Sequence, residues 1–140
     1  MKKKIAILGS TGSIGKTLLE IVKKDKKNFE IVLLAANKNY DEIFKQAKIF
    51  NVKNLIITDK KSFDSLKKKK ITNIKIYNDF ESFNLIFKKK IDYVMSSISG
   101  IDGLKPTIDI IKYTKKIAIA NKEAIICGWH LIKKNLIKFN

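Results

Sequence analysis

Arginine is absent from this sequence of 140 residues, and proline, cysteine, histidine and tryptophan each occur once. Each shortage closes off a class of protein. All 30 basic side chains are lysines, and the formal net charge is +17. They fall in short scattered runs, such as Lys2 to Lys4, Lys67 to Lys70 and Lys88 to Lys90, and no face or tail collects them. Base-edge reading and phosphate forks favour the planar donors of arginine. No specific nucleic-acid partner is therefore expected, and any binding to DNA would be incidental and salt-sensitive. The lone Cys127 has no partner for an internal disulfide, which favours a reducing cytoplasm. No apolar run approaches the roughly 18 residues of a membrane span. A strand beginning at Ile5 leaves no room for a signal or transit peptide. A soluble, cytoplasmic chain without a membrane partner is expected. With one proline (Pro106), no repeat and no low-complexity linker, residues 1–140 read as one domain.

What is present is alternation. Apolar runs predict strands at Ile5–Leu8, Ile31–Ala35, Leu55–Ile57, Ile74–Tyr77, Ile91–Met95 and Ile117–Ala120. Between them, helical spacing places Ile14, Leu18, Ile21 and Val22 on one face, then Ile43, Phe44, Ala47 and Phe50 on another. Helices are also expected at 62–69, from Asp79 or Phe80 to Phe87, from Pro106 to about Tyr113, and from Lys122 onward. Strand–helix alternation implies right-handed crossovers. The fold class is α/β: a Rossmann-like, doubly wound, mostly parallel sheet with helices on both faces. Ligands of such sheets bind beyond the carboxyl ends of the strands. Those ends are Gly9–Gly15, Ala36–Asn39, Ser96–Gly100 and Asn121–Glu123, which should share one rim.

Gly9-Ser10-Thr11-Gly12-Ser13-Ile14-Gly15 lies between the first strand and first helix, where a dinucleotide pyrophosphate would meet free helix N–H groups. The spacing G-x-x-G-x-x-G departs from the commoner G-x-G-x-x-G. The hydroxyls of Ser10, Thr11 and Ser13 are candidate phosphate donors. NAD-binding domains usually present an acid at the end of the second strand. Here that place reads Ala35-Ala36-Asn37-Lys38-Asn39, with no acid before Asp41. An ammonium and two amides suit a 2′-phosphate, so the cofactor expected is NADPH. Ala120-Asn121-Lys122-Glu123 closes the last strand with polar groups suited to a ribose, a nicotinamide or an anion, although a capped helix start would look the same.

Taken together, the run Ile7 to Gly15, Lys38-Asn39, Gly100 through Gly103-Leu104 to Pro106-Thr107, and Ala120 to Glu123 resemble the 1-deoxy-D-xylulose 5-phosphate reductoisomerases. The resemblance runs the length of the chain. It implies NADPH-dependent rearrangement and reduction of 1-deoxy-D-xylulose 5-phosphate to 2-C-methyl-D-erythritol 4-phosphate in non-mevalonate isoprenoid synthesis. It implies that Thr11, Gly12, Ser13 and Ile14 hold the pyrophosphate. Asn37, Lys38 and Asn39 would meet the adenosine ribose phosphate, Asn121 and Glu123 the nicotinamide end, and Lys122 the substrate. The family often has glycine where this chain has Asn37, which tolerates left-handed backbone. A divalent cation (Mg or Mn) would be held by an Asp-Ser-Glu motif that the sequence lacks. Hence no catalytic or metal residue is expected here, and residues 122–140 should lead toward a catalytic domain outside the chain. The apolar side chains of that stretch should be partly uncovered. The whole protein is expected to be a homodimer acting on a phosphosugar.

Two rivals remain at this point. Semialdehyde and homoserine dehydrogenases share parts of the pattern, and a non-catalytic nucleotide-binding module would share the fold. Cys127 and His130, three apart, lack the third group that a nucleophile or zinc site needs. Asp102 reads as turn chemistry.

Overall fold

Six parallel strands form where the apolar runs alternate. In the computed structural model, which describes residues 1–69 and 71–139, β1 is Lys3–Leu8, β2 Phe29–Ala36, β3 Asn54–Ile57, β4 Lys75–Tyr77, β5 Tyr93–Ser96 and β6 Ile117–Ile119. The spatial order is β4-β3-β2-β1-β5-β6. The chain thus works outward from β1 in one direction and then returns to its other side. The order reverses between β1 and β5, and such a switch point opens a crevice at the carboxyl ends.

Both faces of β1 are covered, as its unbroken apolar run requires. Ile5 and Ile7 pack in one core with Leu19, Val22 and Ile43, whereas Ala6 and Leu8 pack in another with Phe83, Val94 and Ile110. Burying each large aliphatic side chain of this kind is worth roughly 2 kcal/mol. The pairing of β1 with β2 slips by one residue, Ile5 facing Ile31 but Ala6 facing Leu33. That slip lets Ile31 and Leu34, an odd step apart, reach the same core.

Helices α1 (Ser13–Lys24), α2 (Tyr40–Phe50), α3 (Lys60–Lys67), α4 (Phe83–Ile86), α5 (Leu104–Ile110) and α6 (Lys122–Phe139) fill the connections. Three expectations are corrected. The buried face of α1 is Gly15, Leu19 and Val22, while Ile14 and Ile21 stand exposed. Close approach at Gly15 rotates the helix from the face that the larger side chains suggested. The stretch after Asp79 is a 3-10 turn at Phe80–Ser82 and a single helical turn, because the aromatic cluster of Phe80, Phe83, Phe87 and Tyr113 sets its shape. Pro106 is the third residue of α5, which follows a 3-10 turn at Ile101–Gly103. Its missing N–H still falls in a first turn, where no intrahelical partner exists.

On α6, Ala124, Gly128 and Ile132 form the buried stripe. A Cβ at Gly128 would lie 2.2 Å from Leu104 Cδ1, so α5 and α6 touch there. Ile126, Trp129 and Ile137 are exposed, as expected of a partly uncovered helix. Among the described residues no helix is long and apolar enough to cross a membrane.

Candidate nucleotide-binding site

The glycine turn is built so that α1 points its N-terminus at open space. Gly9 has φ +87°, a left-handed geometry that side chains resist. A Cβ there would lie 2.7 Å from Ser97 O. The N–H groups of Gly9 and Ser10 both donate to Ala35 O, at 2.9 Å, which fixes the turn on β2. A Cβ at Gly15 would lie 2.4 Å from Gly9 O, so the helix sits directly on its own turn. Gly12 differs. A Cβ there would meet only Gly9 O at 3.5 Å, ordinary contact. The protein's own packing does not demand glycine at this position; the space above it is free for a ligand. Gly12 begins α1 with no side-chain cap, and its first turn carries no acid. The first N–H groups of a helix have no intrahelical partner and carry partial positive charge. An anion fits this cradle.

Ser10 corrects an expectation. Its side chain is fully buried, so its hydroxyl does not face the rim. Beneath it Gln46, buried on α2, donates to Ser10 O at 3.0 Å and buttresses the turn. Thr11 is half-buried at the rim; Ser13 and Ile14 are exposed on the first turn of α1.

The end of β2 holds its three polar residues in different ways. Asn37 donates from its amide to Thr58 Oγ1 at 2.8 Å, tying β2 to the end of β3. Its backbone is not left-handed: the positive-φ residues other than glycine, among those described, are Asn51 and Asn73. The tolerance invoked for asparagine is not needed. Asn39 caps α2, its side-chain oxygen accepting from Glu42 N–H. Lys38 is exposed. Nearby, Asp59 accepts from Ser62 N–H and Ser62 Oγ, and those bonds, with the charges of Lys38 and Lys61, hold its carboxyl below the ordinary 3.8.

Across the crevice, Ser97 closes the end of β5 by donating from N–H and Oγ to Leu8 O, at 2.9 and 2.8 Å. A cavity of about 550 Å³ lies between these segments, lined by Gly9, Thr11, Gly12, Asn37, Ser97 and Ser99 among others. Three of the four expected strand ends thus share one rim. Asn121 stands behind the β5 loop rather than in the cavity lining, bonded to Ile98 O and Gly100 O. Lys122 and Glu123 follow it on α6 and do not line the cavity either. Thr58, Phe80 and Asp102 also line it. The sequence reads Asp102 as turn chemistry, and the structure adds that it stands at the cavity. Thr58 was findable in the sequence, as the residue just past the β3 run, whereas nothing local marks Phe80. A more apolar cavity of about 380 Å³, among Ile5, Leu18, Phe29 and Tyr93, opens at the opposite ends of the strands and presents no helix N-terminus.

Comparison with known proteins decides the family. Its profile, that of 1-deoxy-D-xylulose 5-phosphate reductoisomerase, matches residues 5–128. The chain belongs to this family. The reductoisomerase of Pelagibacter ubique is 62% identical over 140 residues, covering 98% of this chain and 36% of its own length. That of Thermodesulfovibrio yellowstonii is 41% identical over 133 residues, covering 94% and 35%. A solved reductoisomerase from Zymomonas mobilis in complex with NADPH superposes with a TM-score of 0.89 at 26% identity, covering 99% of this chain and 37% of that one. Another, in complex with NADPH, fosmidomycin and magnesium, gives 0.87 at 27% identity, covering 98% and 34%. The chain therefore spans about a third of the length of the reductoisomerases it matches. The fold common to them is the Rossmann-like α/β sheet described above.

Proposed function

We propose that residues 1–140 form the NADPH-binding domain of a 1-deoxy-D-xylulose 5-phosphate reductoisomerase, with residues 122–140 leading toward its catalytic domain. The observation that carries this reading is the uncapped, acid-free start of α1 above an open Gly12. In this reading the N–H groups of Ser13 and Ile14, with Thr11 and Gly12, receive the pyrophosphate. Lys38 and the free amide N–H groups of Asn39 receive the 2′-phosphate, and Asn37 shapes that edge through Thr58. Glu123 belongs to the nicotinamide end, which Asn121 backs from behind the β5 loop, and Lys122 to the substrate phosphosugar. When bound, NADPH supplies hydride to the aldehyde formed by rearrangement of 1-deoxy-D-xylulose 5-phosphate, giving 2-C-methyl-D-erythritol 4-phosphate. The part of this chain is to bind and orient.

The divalent cation does not fit here. Among the described residues no three His, Cys, Asp or Glu side chains come together as a metal site. Its ligands belong to the remaining two thirds of the relatives' length, and with them the chemistry. The isolated chain should bind cofactor and turn over nothing. The whole protein is read as a cytoplasmic homodimer without nucleic-acid or membrane partners. The family match leaves the semialdehyde and homoserine dehydrogenases without support.

Titration of the chain with NADPH and with NADH, by fluorescence or calorimetry at near-physiological salt, tests the reading. Saturable NADPH binding is expected, with NADH poorer by about tenfold or more for loss of one charge-assisted phosphate contact. Lys38→Glu should narrow that gap. A folded chain that binds neither nucleotide would falsify the cofactor assignment.

A further inference from the structure

Behind the cavity wall lies a buried polar chain that cofactor binding as described leaves unused. Ser96, Thr107 and Asn121 are at most 5% exposed, and they come from β5, from α5 and from the residue just before α6. Asn121 donates both amide protons, to Ile98 O and Gly100 O at 2.6 Å each. Its oxygen accepts from Ala124 N–H at 3.1 Å and caps α6. Thr107 donates its one hydroxyl proton to Gly103 O at 2.6 Å, so Ser96, also 2.6 Å from Thr107 Oγ1, is the donor in that contact. The three carbonyls that turn inward from the 98–103 loop are thus each met by a buried side chain. Gly103 backs directly onto this chain: a Cβ there would lie 2.4 Å from Asn121 Nδ2.

The consequence for the cavity follows from peptide geometry. A trans peptide sets its N–H opposite its C=O. Fastening Ile98 O and Gly100 O to Asn121 turns the N–H groups of Ser99 and Ile101 away from Asn121. Ser99 lines the cavity, and among the described residues its N–H has no partner. The same clip keeps two partially negative carbonyls out of a site read as receiving a pyrophosphate.

We propose that Asn121 is a positioning residue: it clips the Ile98–Gly100 loop to the start of α6, presents the Ser99 N–H to the cofactor, and so joins the cofactor wall to the segment bearing Lys122. Its amide is already committed on three bonds, so it acts through the loop rather than by holding the nicotinamide ring. This inference rests on the NADPH reading above and deepens it.

The test compares NADPH with 2′-phosphoadenosine diphosphoribose, the same dinucleotide without the nicotinamide ring, on the wild-type chain, Asn121→Asp and Gly103→Ala. Aspartate keeps the cap on Ala124 N–H but has no proton for the two carbonyls; alanine at 103 pushes the amide from the other side. Both variants are expected to weaken both ligands together, by about tenfold for the loss of buried hydrogen bonds. Amide exchange at Gly103, whose N–H donates to the clipped Gly100 O at 3.2 Å, should accelerate in Asn121→Asp while the central strands stay protected. If Asn121→Asp weakens NADPH but leaves the ring-less ligand unchanged, Asn121 touches the ring directly and the proposal is overturned. Unaltered binding of both ligands would overturn it too. If the wild-type chain binds neither ligand, the cofactor reading has failed rather than the clip. Exchange at the Gly103 N–H then decides: faster in Asn121→Asp supports the clip, unchanged ends it.

Discussion

Helices α1 and α2 start on the same rim, each at the end of a central strand, and they start in opposite ways. Asn39 caps α2 with its side chain, and Asp41 and Glu42 follow in the first turn. The dipole of α2 is answered from within the chain. Gly12 opens α1 with no cap, no acid and no side chain in the space above it. Folding alone would favour the first arrangement at both places. The second forgoes only about 0.3 kcal/mol of capping, since glycine caps little worse than asparagine, but also the favourable charge of an acidic first turn, which makes sense where a ligand provides the anion. The comparison sets a helix end that serves stability beside one that, on the proposed reading, is kept for binding.

The largest effect should come from the residue that seats α1 on its turn. Gly15→Ala sets a Cβ 2.4 Å from Gly9 O and 2.6 Å from Ser10 Cα, both backbone atoms that cannot swing aside. Overpacking of this kind costs about 3 kcal/mol. Urea unfolding should show that loss, and NADPH binding should vanish with it. A variant as stable as the wild type would mean the turn is looser than its geometry says. A sharper test makes α1 resemble α2. Gly12 has φ −78° and open space beside it, so Gly12→Asp should fold without strain. A carboxylate at that cap should raise stability by about 0.5–1 kcal/mol. It should also weaken NADPH by at least about tenfold, through like-charge repulsion with the pyrophosphate. Opposite signs in one variant are what a site kept open for an anion requires. If NADPH binding survives, the pyrophosphate lies elsewhere.

The fold was largely legible because period and alternation survive burial. Ile5–Leu8 and Leu55–Ile57 are apolar runs too short for helices, and Gly9 follows the first at once. What misled was side-chain size. Ile14 and Ile21 looked like core, yet Gly15 sets which face of α1 approaches the sheet, and a glycine carries no hydrophobic signal. In the site, the turn and the end of β2 could be read from strand ends, as could Thr58. The burial of Ser10 could not, because a serine in a glycine turn reads equally as donor or as packing. Nor could the double donation of Asn121, since its acceptors sit 21 and 23 positions earlier and are backbone carbonyls.

The reciprocal change at α2 should be smaller. Asn39→Ala removes the acceptor for Glu42 N–H and should cost about 1 kcal/mol of stability, read as a lower urea midpoint. Because the neighbouring Lys38 stays, NADPH should weaken by less than about tenfold, the share of one neutral hydrogen bond. A loss as large as that of Gly12→Asp would move the centre of the anion site from α1 to α2 and undo the comparison.

The smallest effect is the most specific to the 2′-phosphate. Asp59 caps α3 through Ser62 and lies in the field of Lys38, which contributes to holding its carboxyl below the ordinary 3.8. A depressed carboxyl stabilises the fold above its unfolded value, and that contribution is lost as pH falls below 3.8 through the lowered one. Asparagine caps about as well as aspartate. Asp59→Asn should therefore keep its stability at neutral pH and lose less on acidification than the wild type, as pH-dependent urea unfolding would show. The same change removes a negative charge facing Lys38. NADPH should then tighten by no more than about threefold, with the gain fading as salt screens it. NADH, without the 2′-phosphate, should hardly respond. An equal gain for both nucleotides would mean that Asp59 acts on the pyrophosphate, and that Lys38 does not read the phosphate that distinguishes them.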